Sequence, residues 1–165
     1  MVLVHMACDA PAYSAGAVVR VRIKLSAAAS VRLDWVAVQL CGFVTDLHPV
    51  SGPPPPTSAA SGGGGTALLD ESAMPAANQL CTLASSPLVI AAGTSIEPQQ
   101  SRTFLVHCTL PAQLPPSFAG SEICSEYVFV LTVRTMAPPK SYSAQWSRGP
   151  IHRVQLPVPV ICSAA

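Results

Sequence analysis

The chain has 165 residues, a length typical of one domain, and its net charge of only +1 argues against a strongly basic nucleic-acid binder. Half of the residues are hydrophobic and 10% are charged, against roughly 25% charged in an ordinary domain. Every apolar run is interrupted by charge, proline or glycine within a dozen residues, so we expect no transmembrane helix.

The N-terminal segment Met1–Ala12 has no basic start, and His5 and Asp9 interrupt its apolar residues. This pattern does not fit a secretion signal and predicts a cytoplasmic protein. In that compartment the six cysteines are expected to be buried or half-buried thiols rather than disulfides. Their even spread also disfavours a zinc site, since zinc ligands favour short spacings. They are Cys8, Cys41, Cys81, Cys108, Cys124 and Cys162.

Alternation with period two predicts the first strand over Val18–Leu25, with a hydrophobic face and a basic face. The basic residues are Arg20, Arg22 and Lys24, and Arg32 follows nearby. The pattern fits a solvated strand face. It also fits a shallow site for acidic partners, phosphorylated peptides or anionic lipid headgroups.

A second strand is predicted over Val31–Phe43, where the apolar alternation changes phase and indicates a bulge near Trp35-Val36. Further strands are predicted over Thr103–Leu110 and Tyr127–Val133. A last extended run over Ile151–Ile161 contains Pro157 and Pro159 on the same face. Because proline donates no ladder hydrogen bond, this run is expected to be an edge strand.

The best helical candidate, Thr66–Leu83, is broken by Pro75, so short strands without helices predict an all-β sandwich. A low-complexity stretch with Pro53–Pro56 and Gly62–Gly65 lacks the apolar residues that would offset its ordering entropy. We therefore expect one lobe over residues 1–165, with a flexible insertion at about 48–78. A shorter weak region is expected over Met136–Arg148.

Motifs of catalysis are scarce: the chain has no P-loop and no dinucleotide-binding glycine pattern, and its four histidines are isolated in sequence. These features favour a protein that is not an enzyme and needs no cofactor. The enzyme alternative is a hydrolase in which the fold brings a histidine such as His107 to a carboxylate.

Two stretches together resemble the arrestin family. The first places Tyr13 and Gly16 before the valine-rich first strand, and the second runs from Leu110 to Gly120 and continues into the strand at Tyr127. The second stretch carries Pro115, Pro116 and Phe118. The resemblance implies an immunoglobulin-like antiparallel β-sandwich of the arrestin N-lobe type, in which Phe118 closes one end of the sandwich and the two glycines permit turns.

A third set of segments resembles the Rgp family, the arrestin-like partner of Ric in a Golgi guanine-nucleotide exchange complex. The set comprises residues 86–90, 96–104, 149–151 and 154–160. Members of that family are longer, with a second lobe, and usually have Pro-Gly-Glu where this chain has Pro98-Gln99-Gln100. The resemblance implies a non-catalytic subunit, peripheral at the Golgi membrane, that contacts a Ric-like subunit and a Golgi Rab GTPase in retrograde endosome-to-Golgi transport.

The alternative function is that of a general arrestin-related trafficking adaptor that binds cargo tails. Such adaptors often carry a Pro-Pro-x-Tyr motif for ligase binding, and the segment Pro138–Tyr142 misses that spacing by one residue.

Overall fold

A computed structural model describes residues 2–47, 78–137 and 147–162. The predicted insertion at about 48–78 falls almost entirely outside these ranges, as do most of the weak region after Met136 and the segment Pro138–Tyr142. Within the described ranges, no helix is long and apolar enough to cross a membrane.

Strands make up the regular structure of the described residues, and the all-β prediction is confirmed. In chain order they are β1 (Val2–Cys8), β2 (Tyr13–Ser14), β3 (Val18–Ala27), β4 (Val31–Asp46), β5 (Gln79–Ala84), β6 (Leu88–Ile96), β7 (Ser101–Thr109), β8 (Phe118–Ala119), β9 (Ile123–Ala137), β10 (Ser147–Pro157) and β11 (Val160–Ile161).

The strands form two main antiparallel sheets and one small parallel pair. The smaller main sheet has the order β1-β3-β7, and the larger has the order β10-β9-β4-β5, with β6 also paired to β4 and β8 to β9. Strands β11 and β2 form the parallel pair. Buried side chains from both main sheets form one apolar cluster that includes Ile23, Leu25, Leu33, Phe129 and Leu131, as expected for a sandwich.

Strand β3 follows the predicted alternation. Val19, Val21, Ile23 and Leu25 are fully buried, and the residues between them are exposed. Successive side chains of a strand point to opposite faces. Because these four side chains are buried, the cations between them lie on the outer face of the sheet.

The predicted bulge in β4 is confirmed. The pairing of β4 with β9 shifts between Leu33 and Trp35, and this shift allows both Leu33 and Val36 to reach the core, where each is fully buried. At the bulge, the Asp34 carboxylate lies 3.7 Å from Nε of Arg134 on β9.

The last extended run is two strands rather than one, which corrects the prediction over Ile151–Ile161. Strand β10 pairs with β9 alone in the described sheet, so the predicted edge position is confirmed. After Pro157 the chain crosses between sheets: the Val158 N–H donates to the Tyr127 carbonyl, and the Tyr13 N–H donates to the Pro159 carbonyl. Prolines suit this crossing because they add no unpaired ladder donor.

The cysteines are free thiols whose burial differs from the prediction at two positions. Cys41 is buried and Cys8, Cys108 and Cys124 are half-buried, as expected. Cys81 and Cys162 are exposed. Cys81 lies on β5, which ends the larger sheet and has mostly exposed residues, because a strand with a neighbour on one side has fewer side chains around it.

Candidate functional site

The strongest candidate site is the outer face of the β1-β3-β7 sheet. Arg20, Arg22 and Lys24 project from the central strand β3 and are all exposed. We call these three residues the basic face. Alternate residues of a strand are about 7 Å apart, so the three cations form a straight row about 14 Å long.

Neighbouring strands place different side chains beside each cation. Lys24 lies between His5 of β1 and Thr103 of β7. Arg22 lies between Ala7 and Leu105. Directly opposed residues of antiparallel strands point to the same face, so these neighbours share the surface of the basic face.

One carboxylate belongs to this part of the surface, and it is held in place by Tyr13. The Tyr13 hydroxyl donates a hydrogen bond to Oδ1 of Asp9 at a distance of 2.6 Å, and it accepts a hydrogen bond from the Ala10 N–H at 3.0 Å. Oδ2 of Asp9 lies 3.7 Å from the Arg20 guanidinium. The hydrogen bond from Tyr13, aided by Arg20, holds the pKa of Asp9 below its ordinary value.

The surroundings of Tyr13 raise the pKa of its hydroxyl, whereas those of Asp9 lower the pKa of its carboxyl group. Burial of the ring and its bond to the Asp9 carboxylate raise the pKa of the Tyr13 hydroxyl, because both disfavour a phenolate. The pKa of the nearby Cys8 thiol is raised mainly by burial. A thiol with a raised pKa is a poor nucleophile at neutral pH, so these surroundings do not activate Cys8.

Arg22 and Lys24 differ from Arg20 in their ionic contacts. Among the described residues, neither lies within ion-pairing distance of a carboxylate. Shallow depressions flank them: one of about 280 Å³ is lined by Asp9, Arg22 and Leu105, and another of about 350 Å³ by Leu3 and Lys24, among others.

Arg32 does not join the other three cations. It is exposed on β4, in the larger sheet, where it lies next to the buried Leu33. The outer faces of the two sheets of a sandwich point in opposite directions, so Arg32 lies on the far side of the molecule from the basic face.

The residues that carry the arrestin resemblance occupy positions that shape the fold. Gly16 has a φ of 78° in the turn closed by the Ala17 N–H and the Ser14 carbonyl, so the predicted turn glycine is confirmed. The buried Tyr127 donates its hydroxyl proton to the Pro115 carbonyl at 2.9 Å, which ties the extended segment containing Pro115 and Pro116 to strand β9.

Phe118 does not close the end of the sandwich, contrary to expectation. Its side chain is 57% exposed, because β8 has two residues and pairs only with the first part of β9. A Cβ at Gly120 would lie 2.7 Å from the Phe118 ring, so Gly120 provides space for that ring. With Pro157 and Pro159, Phe118 lines a depression of about 250 Å³.

Among the described residues, no carboxylate forms an ion pair with His107, the histidine named for the hydrolase alternative. His107 pairs with Arg20 on one side of β3, and Asp9 contacts Arg20 on the other. Two strand spacings of about 4.8 Å thus separate their backbones. Within the described ranges, no group of three or more His, Cys, Asp or Glu residues could hold a metal ion.

Two exposed leucines on the outer face were not predicted as site residues. Leu105 is 64% exposed and Leu3 is 51% exposed. The alternation over Thr103–Leu110 already placed Leu105 on the face opposite to the core-facing Phe104 and Val106. A large apolar residue on an outward face was the sequence signal that could have predicted this site residue. Asp9 was also missed, because only the pairing of β1 with β3 brings it to Arg20.

Comparison with known proteins identifies the fold rather than the family. No protein-family model matches the sequence, and no curated protein matches it. Among solved structures, the crystal structure of Spo0M, a sporulation control protein from Bacillus subtilis, superposes with a TM-score of 0.60 at 12% sequence identity. The fold is arrestin-like. The match covers 98% of this chain and 50% of the Spo0M chain, so this arrestin-like sandwich spans about half the length of Spo0M.

Proposed function

We propose that this arrestin-like chain is a non-catalytic subunit of a Golgi Rab guanine-nucleotide exchange complex that acts in retrograde transport from endosomes to the Golgi. In this role it contacts a Ric-like subunit and the Rab GTPase through its surface. Exchange is a property of the assembled complex, and the chain is a peripheral protein at the cytoplasmic side of the Golgi membrane.

The observation that carries the proposal is the backbone conformation at Gln99. This residue has a φ of 63°, in the left-handed region that favours glycine. The turn around it is closed by the Gln100 N–H and the Glu97 carbonyl, with Pro98 before Gln99. Members of the Rgp family usually have glycine at this position, and a turn whose second central residue has a positive φ is one that a Pro-Gly pair would suit, which supports the proposal.

The surface best suited to a large partner subunit surrounds Phe118. Its exposed ring lies beside Pro157 and Pro159, at the edge strand β10. Exposed aromatic side chains that fill a partner's pocket often contribute most of the binding energy of an interface. Phe118 is therefore the residue that we assign to the contact with the Ric-like subunit.

Co-purification tests the proposal. The tagged full-length chain, incubated with a lysate of Golgi-containing cells, should retain the Ric-like subunit and the Golgi Rab, both detected by immunoblotting. Substitution Phe118→Ala should reduce recovery of the Ric-like subunit at least about tenfold, because truncation of an interface anchor typically costs 2 kcal/mol or more.

Leu80→Ala is the matched control. Leu80 is 67% exposed on β5, at the opposite end of the larger sheet from β10, and its truncation should leave recovery unchanged. Absence of both named proteins from the retained fraction overturns the proposed function. Recovery of cargo tails with neither protein supports the trafficking-adaptor alternative instead.

A further inference from the structure

The outer face of the β1-β3-β7 sheet combines cations with exposed apolar side chains. The basic face runs along the central strand, and Leu3 and Leu105 lie on the two flanking strands, one on each side of it. Both leucines are more than half exposed. Leu105 lies directly opposite Arg22, and Leu3 opposite Ser26, one row beyond Lys24.

We propose that this face docks onto a membrane surface rich in anionic lipid headgroups. Arg22 and Lys24 contact the headgroups, and Leu3 and Leu105 enter the region between headgroups and acyl chains. Long cationic side chains suit such a boundary, since their aliphatic stems lie against apolar groups and their charged ends remain with phosphate and water.

Local charge supports this docking even though the whole chain has a net charge of only +1. Asp9 pairs with Arg20 at one end of the row, and the charges of Arg22 and Lys24 remain uncompensated by described carboxylates. At physiological ionic strength the screening length is about 8 Å, so an approaching surface responds to these nearby cations rather than to the total charge.

The shape of the face favours a lipid surface over a phosphorylated peptide. A phosphopeptide is usually bound by cations that converge on one phosphate and form several charge-assisted hydrogen bonds to it. Here the cations project side by side from one strand, about 7 Å apart. A row of this kind meets several headgroups at once. The exposed leucines would gain nothing from a single phosphate, whereas a bilayer interface would bury them.

Binding to vesicles tests this inference with the full-length chain. The probes are phosphatidylcholine vesicles with or without phosphatidylserine, assayed by co-sedimentation over a range of salt concentrations. The chain should bind the vesicles that contain phosphatidylserine, and added salt should weaken binding. The double variant Arg22→Gln/Lys24→Gln should bind about thirtyfold more weakly, which follows from the typical contribution of a basic residue near an anionic leaflet.

A second double variant separates this surface from the general effect of charge. Arg32→Gln/Arg153→Gln also removes two positive charges, but from the larger sheet, and should retain vesicle binding to within about twofold. Thermal unfolding of both variants establishes that each is folded. Leu105→Ser should weaken vesicle binding a few-fold at every salt concentration, because the apolar contribution is not screened.

Three results would overturn the inference: equal binding to both kinds of vesicle, equal losses in the two double variants, or dependence on Arg22 and Lys24 for a phosphorylated peptide but not for vesicles. The last result assigns the face to peptide recognition. The vesicle assay contains neither a Ric-like subunit nor a Rab, so its outcome is separate from that of the co-purification experiment.

Discussion

At the scale of single residues, the buried Tyr13 and Tyr127 each connect a loop to a strand, through different kinds of hydrogen-bond acceptor. Tyr13 donates to the carboxylate of Asp9, and Tyr127 donates to the backbone carbonyl of Pro115. Hydrogen bonds to charged acceptors contribute more to stability than bonds to neutral ones, and their strength depends on the ionisation of the acceptor.

Tyr13→Phe should lower the free energy of unfolding at neutral pH. Because the bond holds the pKa of Asp9 below 3.8, its contribution is complete above that pH and is lost as pH falls through the folded-state pKa. Urea unfolding of wild type and variant should therefore show a difference that shrinks in acid. Tyr127→Phe is the control, and its cost of about 1 kcal/mol should not change with pH in this range.

Cys41 gives a prediction for alkaline pH. Burial raises the pKa of its thiol from 9.0 to about 11. Between these values the unfolded chain loses the proton and the folded chain keeps it, so the free energy of unfolding should fall as pH rises from 9.0 towards 11. In urea unfolding, Cys41→Ala should show a shallower fall than wild type. The raised pKa of Tyr13 contributes equally in both proteins. Parallel curves would contradict the assignment to Cys41.

At the scale of elements, the turn between β6 and β7 has a proline that suits its backbone conformation, followed by a glutamine that does not. Pro98 favours the first central position of such a turn, but Gln99 at the second has a φ of 63°. A side chain in that conformation costs roughly 1 kcal/mol, which a glycine avoids.

Gln99→Gly should raise the free energy of unfolding by up to about 1 kcal/mol, since relief of backbone strain exceeds the added entropy of the unfolded chain. The converse substitution, Gly16→Ala, should lower it by about 1 kcal/mol, because Gly16 has a φ of 78°. Both are measured by chemical denaturation. A loss of stability in Gln99→Gly would show that contacts of the Gln99 side chain outweigh its backbone strain.

At the scale of the whole molecule, the residues that flank segment 48–77 are hydrogen-bonded to each other. The Asp46 N–H donates to the Asn78 carbonyl at 2.8 Å, and the Asn78 side-chain amide donates to the Asp46 carbonyl at 2.6 Å. Strands β4 and β5 are adjacent and antiparallel here, so a short hairpin connection can link them.

Replacement of residues 48–77 by Asn-Gly should therefore preserve the sandwich. Closing a shorter loop costs less entropy, so we expect the free energy of unfolding to rise, by up to about 2 kcal/mol. Thermal unfolding and the β-type circular dichroism spectrum are the measurements. Loss of cooperative unfolding would contradict the prediction and assign a structural role to the replaced residues.

Local pattern was sufficient to predict several features of this protein. The alternation in β3 predicted both its buried side and its basic side. The change of phase in β4 predicted the position of the bulge, and Gly16 predicted a turn. Each of these depends on residues close together in the sequence, where the period of a strand or the steric freedom of glycine applies directly. The arrestin-like fold was likewise expected from short motifs.

The sequence by itself predicted strands that overlap β3, β4, β7, β9 and the last extended run, and it separated the apolar side of β3 from its basic side. Strands β1, β5 and β6 were not predicted. Only the tertiary structure decided how the sides combine: Arg32 lies on the opposite face from the basic face, Asp9 pairs with Arg20, and Leu105 stands beside Arg22. The physical reason is that alternation is a property of one strand, whereas sheet membership and register depend on pairing between distant segments. The composition of the candidate site therefore followed from packing.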